Sequence, residues 1–283
     1  MSRSIRIACL LAAAVVLAGC QKDFTAVALT STGKLIQFTT KKPSSLSSTV
    51  NVSLSTSVSN DSVIAMAAQP GSNTLFCVTA KGYLCQLNAS SGAATLVSQT
   101  PFTQSLGSGN NSVTLSNPVI SFDPIGGDLR VVTSDYNLLV NPGTGALDLQ
   151  ASKIGFDSSD TNNGKSPVLA GIAYQNPVSG ASSTTVYALD ITTTSLLRIG
   201  NKDVGRGDSS VNSGDLHTIG TLNSSLSSNS GFAIAPSDGT AYASLQNGSA
   251  PTLYTVDLGG GSATSLGTIG DGTLTINSLV INP

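Results

Sequence analysis

A unit of four short segments recurs along the chain, and its last copy is divided between the two ends. Each unit opens with an apolar segment that ends in Pro, and three further segments follow, separated by turns. The opening segments lie at residues 64–70, 119–124, 170–177, 231–236 and 278–283. The last of them ends the sequence, and residues 25–39 supply the missing strands at the other end. A repeat divided in this way favours a closed ring in which the first and last strands pair.

The segments themselves read as β-strands. Apolar residues alternate with polar ones, as in residues 240–245, and Gly, Pro, Asn and Asp bound each run. Pro lacks the N–H that a ladder needs, so it suits a strand end. We therefore predict an all-β fold, a β-propeller of about five four-stranded blades. Two alternatives stay open: a degenerate sixth blade within residues 100–117, and a β-sandwich or barrel, which needs no divided repeat.

Charge and composition limit the classes of partner. The sequence has 13 Lys and Arg against 15 acidic residues, all of them Asp, and a formal net charge of −2. Without Arg3 and Arg6, 11 basic residues face 15 acidic ones, a balance of −4. Such a surface does not attract a polyphosphate, so nucleic acid is not a predicted partner. The chain after its first residues is long enough for one closed β domain.

The N-terminus has the pattern of a secretory signal peptide. Arg3 and Arg6 precede an apolar run at residues 7–18, which is short for a membrane span. The run leads into Leu-Ala-Gly-Cys at residues 17–20, which resembles the bacterial lipobox. The resemblance implies cleavage after residue 19 and acylation of Cys20, and several acyl chains anchor a protein stably. An ordinary signal peptide with an incidental Cys is the alternative.

These features predict two segments and a location. Residues 1–19 would be a lipoprotein signal peptide, and residues 20–283 a propeller domain lipidated at Cys20. The protein would lie in the cell envelope, outside the cytoplasm, with the membrane as partner through its lipid. Gln21, where a retention signal has Asp, implies the outer membrane if the source is Gram-negative.

Two Cys residues in the middle of the chain fall on successive strands of one predicted hairpin. A three-residue loop at residues 80–82, with Gly82 left-handed, would place Cys77 opposite Cys85. An oxidising compartment favours a disulfide between them. Two buried thiols are the alternative.

A series of segments lies in order along nearly all of the mature chain, at residues 28–38, 117–124, 128–133, 136–145, 173–176 and 253–257. Together these segments resemble a family of secreted bacterial proteins known as domain of unknown function 4394. The chain departs from the pattern in longer loops at residues 100–117 and 203–213. The resemblance implies a propeller-like domain. It implies no activity, because the family has no established catalytic residues to transfer.

Arg130 is a candidate ligand contact, because it lies in a predicted strand between two apolar residues. An Arg in a propeller strand that reaches the axial channel would bind an anionic ligand. A structural ion pair with Asp128 or Asp135 is the alternative.

A polar loop at residues 157–164 offers the oxygen atoms that Ca²⁺ prefers. Asp157, Asp160 and Asn162 are the candidate metal ligands. Their spacing does not follow the EF-hand pattern, and Asp, Asn and Gly are also ordinary turn residues. Metal binding and turn formation both stay open.

The single His of the chain, His217, lies in a predicted strand without a nucleophile motif nearby. No catalytic role is predicted for it, and with two Cys it makes a poor zinc site. Asp190 and Asp257 are each predicted to end a third strand at matching positions. Such repetition indicates a role in turns.

The chain carries no recognisable catalytic constellation, so we predict a non-catalytic binding or interaction module without a cofactor. Its partner would be an envelope protein or a glycan, contacted by the loops of the propeller. A metal-assisted propeller hydrolase of the lactonase kind is the alternative. A quinone-dependent oxidoreductase and a structural envelope protein are further possibilities.

Overall fold

Short strands and tight turns account for nearly all regular structure in the computed structural model, which describes residues 22–54, 58, 60–72, 74–107, 112–246, 248 and 250–282. The predicted signal peptide, residues 1–19, and Cys20 lie outside the described residues. Within the described part of the chain, no helix is long and apolar enough to cross a membrane. The strands are β1 (Thr25–Thr30), β2 (Lys34–Thr39), β3 (Ser48–Asn51), β4 (Ser53–Leu54), β5 (Val63–Ala68), β6 (Leu75–Thr79), β7 (Leu84–Leu87), β8 (Ala93–Leu96), β9 (Val119–Phe122), β10 (Leu129–Val132), β11 (Asn137–Val140), β12 (Leu147–Ala151), β13 (Gly155–Phe156), β14 (Leu169–Tyr174), β15 (Ser183–Asp190), β16 (Ser195–Gly205), β17 (Asp215–Thr221), β18 (Gly231–Ile234), β19 (Ala241–Leu245), β20 (Thr252–Val256), β21 (Ala263–Thr268) and β22 (Ile276–Asn282).

The described strands form five sheets, which are the blades of a propeller, and the four main strands of each blade are antiparallel. From the axis outwards, blade 1 is β22-β1-β2-β3, blade 2 is β5-β6-β7-β8, blade 3 is β9-β10-β11-β12, blade 4 is β14-β15-β16-β17 and blade 5 is β18-β19-β20-β21. Blades 2 and 4 have an extra outer strand, β4 or β13, which runs parallel to β8 or β17. The five predicted opening segments are the innermost strands of the five blades.

Blade 1 joins the two ends of the chain. Strand β22 pairs antiparallel with β1, with Thr25 opposite Asn282 and Leu29 opposite Ser278. The predicted closure of the ring by the first and last strands is therefore confirmed.

Packing between neighbouring blades forms the core. The innermost strands contact one another in the cyclic order β5, β9, β14, β18, β22 and back to β5. The described residues contain five hydrophobic clusters, which lie where adjacent blades meet. Strands near the axis are buried on both faces, so β6 and β14 are buried throughout, whereas the outer strand β12 has no fully buried residue. This ring confirms the propeller and excludes the sandwich.

Glycines allow the innermost strands to approach one another closely near their amino-terminal ends, which surround one end of the channel. A Cβ on Gly171 would lie 2.6 Å from Cβ of Phe232 in blade 5. A Cβ on Gly231 would lie 2.5 Å from the backbone nitrogen of Leu279 in blade 1. Real Cβ atoms do not approach this closely, so glycine permits the tight packing of blades 4, 5 and 1.

The loop that we considered as a degenerate sixth blade instead caps blade 2. It contains the 3₁₀ helix Phe102–Leu106, and its residues 108–111 lie outside the described part of the chain. The Phe102 N–H donates to the Gly82 carbonyl at 2.8 Å, and the Leu115 N–H donates to the Ala80 carbonyl at 2.8 Å. Phe102 and Leu115 join the core between blades 2 and 3. The apolar residues of this loop therefore fill a blade interface.

Asp190 lies one strand earlier than we predicted. It ends β15, which pairs with β14 and β16 and is the second strand of blade 4, whereas Asp257 follows the third strand of blade 5. The Asp190 carboxylate accepts from the N–H groups of Val168 and Thr193, both at 2.8 Å. The Asp257 carboxylate accepts from the Gly259 N–H at 3.0 Å, so both Asp residues bind turn backbone. The prediction that they lie at matching positions in their blades is wrong. The second and third strands of blade 4 are longer than those of blade 5, so equivalent turns lie at different distances from the Pro that ends the first strand.

Candidate functional site

The carboxyl ends of the five innermost strands surround a cavity of about 370 Å³ at one mouth of the central channel. Every blade contributes to its wall. The lining comprises residues 279–282 of blade 1, 66–72 of blade 2, 120–121 of blade 3, 172–174 and 177–178 of blade 4, and 232–234 and 236 of blade 5. We call this cavity the channel mouth.

The wall of the channel mouth is uncharged. Among the described residues that line it there is no Asp, Lys, Arg, His or Cys, and the large side chains include Met66, Ile172 and Phe232. Polar atoms come from a few residues at the rim, such as Gln69 and Ser121. A mostly apolar concave wall with few polar groups, at this volume, is typical of sites for small molecules.

Two loops meet above the channel mouth on one side. A Cβ on Gly71, which follows β5 in blade 2, would lie 2.5 Å from Cβ of Ser179, which follows β14 in blade 4. Gly71 has a left-handed backbone with φ of 73°, so this position favours glycine on two grounds. Pro70, Pro177 and Val178 from the same two loops line the cavity. The loops therefore form a partial roof across blade 3.

The other end of the channel is much narrower. The hollow beside Gly231 and Ser278 there holds only about 20 Å³, close to the space of one water molecule. The Ser278 hydroxyl accepts from the Met66 N–H at 3.2 Å and ties blade 1 to blade 2. The channel mouth is thus a pocket with a narrow floor.

Arg130 lies between blades 3 and 4 and does not line the channel mouth. It is 2% exposed, and its guanidinium donates to the Tyr174 hydroxyl at 2.7 Å, Asn137 Oδ1 at 2.6 Å and Asn212 Oδ1 at 2.7 Å. Within the described part of the chain it forms no ion pair, so the considered pairing with Asp128 or Asp135 is not formed.

The guanidinium does border a second cavity of about 160 Å³, together with Tyr174, Asn212, Asp123 and Asp208. Burial raises the pKa of Tyr174, against the opposing charge of Arg130, so the phenol stays protonated. Burial also raises the pKa of Asp128 nearby, and the neighbouring carboxylates act in the same direction. Two carboxylates on the wall disfavour a simple anion, and ligand contact by Arg130 stays a prediction.

The three candidate metal ligands already accept hydrogen bonds through their side-chain oxygens, from the loop itself and from β17. Asp157 accepts from the Ser159 N–H at 2.8 Å, and this residue's hydroxyl is the main cause of the lowered pKa of Asp157. Asp160 accepts from the Thr218 N–H and hydroxyl, and Asn162 Oδ1 accepts from Lys165 Nζ at 2.8 Å. A metal would have to displace these donors, one of which is a cation.

The Cys77–Cys85 hairpin has the predicted register. Gly82 is left-handed with φ of 80°, Cys77 lies directly opposite Cys85, and their Cα atoms are 5.1 Å apart. Both residues are fully buried, and the structure has a disulfide between them.

His217 lies on β17 opposite Arg198, remote from the channel mouth lining. In the described part of the chain, no three His, Cys, Asp or Glu residues are grouped so that they could hold a metal ion. Metal-assisted hydrolysis stays an untested alternative.

Sequence reasoning missed the channel mouth as a site. Most of its residues belong to the repeated opening segments, which were interpreted only as strand markers. The signal available in the sequence was that all five segments are uncharged near their final Pro, except at Asp123. In the structure, Pro70, Pro177 and Pro236 line the cavity.

Comparison with known proteins supports the fold. The profile of a family described as Domain of unknown function (DUF4394) matches residues 34–279. A crystal structure of a protein of unknown function from Bacteroides thetaiotaomicron VPI-5482 is similar with a TM-score of 0.51 and 14% identity, over 92% of this chain and 65% of that one. Another, from Bacteroides caccae, has a TM-score of 0.48 and 9% identity, over 92% and 99%. A search of curated proteins found no significant match.

Proposed function

The chain belongs to the DUF4394 family, and we propose that it is a non-catalytic binding module that holds a small apolar ligand in the channel mouth. The observation that carries the proposal is the convergence of all five blades on one uncharged cavity of about 370 Å³. Ligand pockets of this size and composition are usually preformed.

The apolar, uncharged wall of the channel mouth determines which kind of ligand would bind. Burying a charged group against Met66, Ile172 and Phe232 would remove it from water without a partner, at a cost of several kcal/mol. Each methylene that leaves water there instead contributes about 0.8 kcal/mol. The ligand would therefore be uncharged where it enters, with polar groups left at the rim near Gln69 and Ser121.

A non-catalytic role is supported by the same wall. General acid–base and nucleophilic catalysis by side chains need titratable groups beside the substrate. The described lining residues include Tyr174 as the one titratable side chain, and its hydroxyl is engaged by Arg130 with a raised pKa.

We further propose that the protein is anchored outside the cytoplasm through lipid on Cys20. The lipobox-like residues 17–20 after a secretory signal pattern support this. In a detergent phase-separation assay, protein from the native host should enter the detergent phase, whereas the Cys20→Ser variant should stay in the aqueous phase. Equal partition of both would refute the anchor.

Binding in the channel mouth is tested with Nile red, a neutral dye that fluoresces in apolar surroundings. The Cys20→Ser protein should bind it saturably. Ala68→Leu and Ala233→Leu place a larger side chain in the cavity wall, and each should weaken binding roughly tenfold.

Ala93→Leu is the matched control, because Ala93 is exposed on β8 of blade 2 and does not line the channel mouth. It should bind dye as the parent does, and circular dichroism should show the same β content in all variants. No saturable binding, or equal binding in all variants, would refute the proposed site.

A further inference from the structure

The chain enters the propeller on the same face as the channel mouth. Strand β22 runs toward the mouth and ends at Asn282, and β1 begins opposite it at Thr25. Because the two strands are antiparallel, the residues before Thr25 leave the ring at the mouth. An anchor attached only a few residues before Thr25 would therefore hold this face, and not the narrow end, toward the membrane.

Contacts of the first described residues place them at the rim of the mouth. Lys22 Nζ donates to the Ser237 hydroxyl at 2.9 Å and lies 5.4 Å from the ring centroid of Phe24. Ser237 follows Pro236, which lines the channel mouth. The Lys22 side chain therefore contacts blade 5 beside the cavity.

Phe24 and Asp23 hold this segment in place. Phe24 is 3% exposed and packs edge-on against Tyr242 of blade 5, with ring centroids 6.1 Å apart. Asp23 Oδ1 accepts from the Lys41 N–H at 3.0 Å. The exit direction of the chain is thus set by packing against blades 1 and 5.

The remaining tether is short. Only Gln21 separates Lys22 from Cys20, and the two chain steps between them cover at most about 7 Å when fully extended. A lipid on Cys20 would therefore enter the bilayer close to the rim of an apolar cavity.

From this arrangement we propose that the anchored protein presents its channel mouth to the membrane and takes up an acyl chain of a bilayer lipid. The inference rests on the proposed function and names its ligand class. An acyl chain is uncharged and apolar, as the wall requires, and its headgroup would stay at the polar rim. The chains on Cys20 itself are assigned to the bilayer, because stable anchoring needs more than one inserted chain.

The test reconstitutes the full mature protein in phosphatidylcholine vesicles that contain a phospholipid with a photoactivatable diazirine in one acyl chain. After illumination, mass spectrometry of peptides locates the attached lipid. Attachment should concentrate on residues 66–72, 172–178 and 232–236. It should fall severalfold in Ala68→Leu and Ala233→Leu but not in Ala93→Leu.

A spacer variant tests the short tether without altering the cavity. About 20 Gly and Ser residues inserted between Gln21 and Lys22 add a mean reach of about 25 Å. Because the effective concentration of lipid at the mouth then falls, attachment there should drop roughly fivefold. Unchanged attachment would overturn the membrane-facing orientation.

Other outcomes separate this inference from the proposed function. If the Cys20→Ser protein binds Nile red but the anchored protein shows no lipid attached at the mouth, the acyl-chain assignment is wrong and the apolar site stands. If the Cys20→Ser protein takes up a short-chain labelled lipid that the anchored protein excludes, the chains on Cys20 occupy the cavity, and the bilayer source is overturned. If neither dye nor lipid binds, both proposals fail.

Discussion

Arg130 is a buried charge that joins two blades through neutral acceptors. Its bonds to Tyr174 and Asn212 reach blade 4, and its bond to Asn137 lies within blade 3. The sequence drew attention to the Asp residues on either side of it. It could not indicate partners 44 and 82 residues away, because those are set by how two blades pack.

Replacing Arg130 with Met should therefore destabilise the fold. The side-chain oxygens of the buried Asn137 and the half-buried Asn212 would each lose a charged donor, at a total cost on the order of 3 kcal/mol. Urea unfolding followed by circular dichroism measures this. Lys153→Ala is the control, since its ion pair with Asp135 joins side chains that are 62% and 70% exposed and should contribute less than about 1 kcal/mol. A similar small effect for Arg130→Met would contradict the structural role.

The Cys77–Cys85 pair gives a second prediction for single residues. Under denaturing conditions without reductant, neither thiol should react with iodoacetamide in protein from an oxidising compartment. Closing so short a loop should stabilise the fold by about 2–3 kcal/mol on the chain-entropy account, so Cys85→Ser should lower the urea midpoint. Alkylation of both residues in the unreduced protein would show free thiols.

Among the elements, the β6–β7 hairpin depends on the cap that packs on it. Gly82 is left-handed, and a Cβ there would collide with the buried side chain of Thr103. Gly33, in the β1–β2 hairpin, is also left-handed, but a Cβ there would meet nothing within 4 Å. Alanine substitutions at these two glycines therefore distinguish the cost of a left-handed alanine from the cost of a steric collision with Thr103.

Gly33→Ala should cost about 1–2 kcal/mol, the cost of a left-handed Ala, and Gly82→Ala should cost more. In Gly82→Ala the segment Phe102–Leu106 must shift, so limited proteolysis should cut residues 100–117 faster than in the parent. Urea midpoints of the two variants provide the comparison. Equal costs and equal cleavage would show that the cap does not rest on Gly82.

Over the whole molecule, loop carboxylates link stability to pH. Burial acts to raise the pKa of Asp160, but hydrogen bonds from Thr218 and Asn162 outweigh it and the pKa is lowered. Side-chain hydrogen bonds from Ser210 and Thr273 lower the pKa values of Asp208 and Asp271. The ordinary pKa of an Asp carboxyl is 3.8. As the pH falls, these carboxylates therefore bind protons in the unfolded chain before they do so in the folded protein.

The stabilisation from these groups is present above about pH 4 and is lost as the pH falls through their lowered pKa values. Asp128, whose pKa is raised, acts in the opposite sense and offsets a part of this loss. The melting temperature should therefore be steady from pH 7 to 5 and decrease from pH 4 to 3. Asp160→Asn should show a shallower decrease. A melting temperature that is constant or rises down to pH 3 would contradict the linkage.

The sequence by itself determined the strand segments, a ring of about five blades and the closure of that ring, and the structure was needed to exclude a sixth blade. Alternation, turn residues and terminal Pro act within a few neighbouring positions, so they can be read without a structure. The tertiary structure alone decided the uncharged channel mouth, the roof where Gly71 meets Ser179, the partners of Arg130 and the face on which Lys22 leaves the ring. The physical reason is that each of these is a contact between blades, set by the packing angle of sheets whose residues are far apart in the chain.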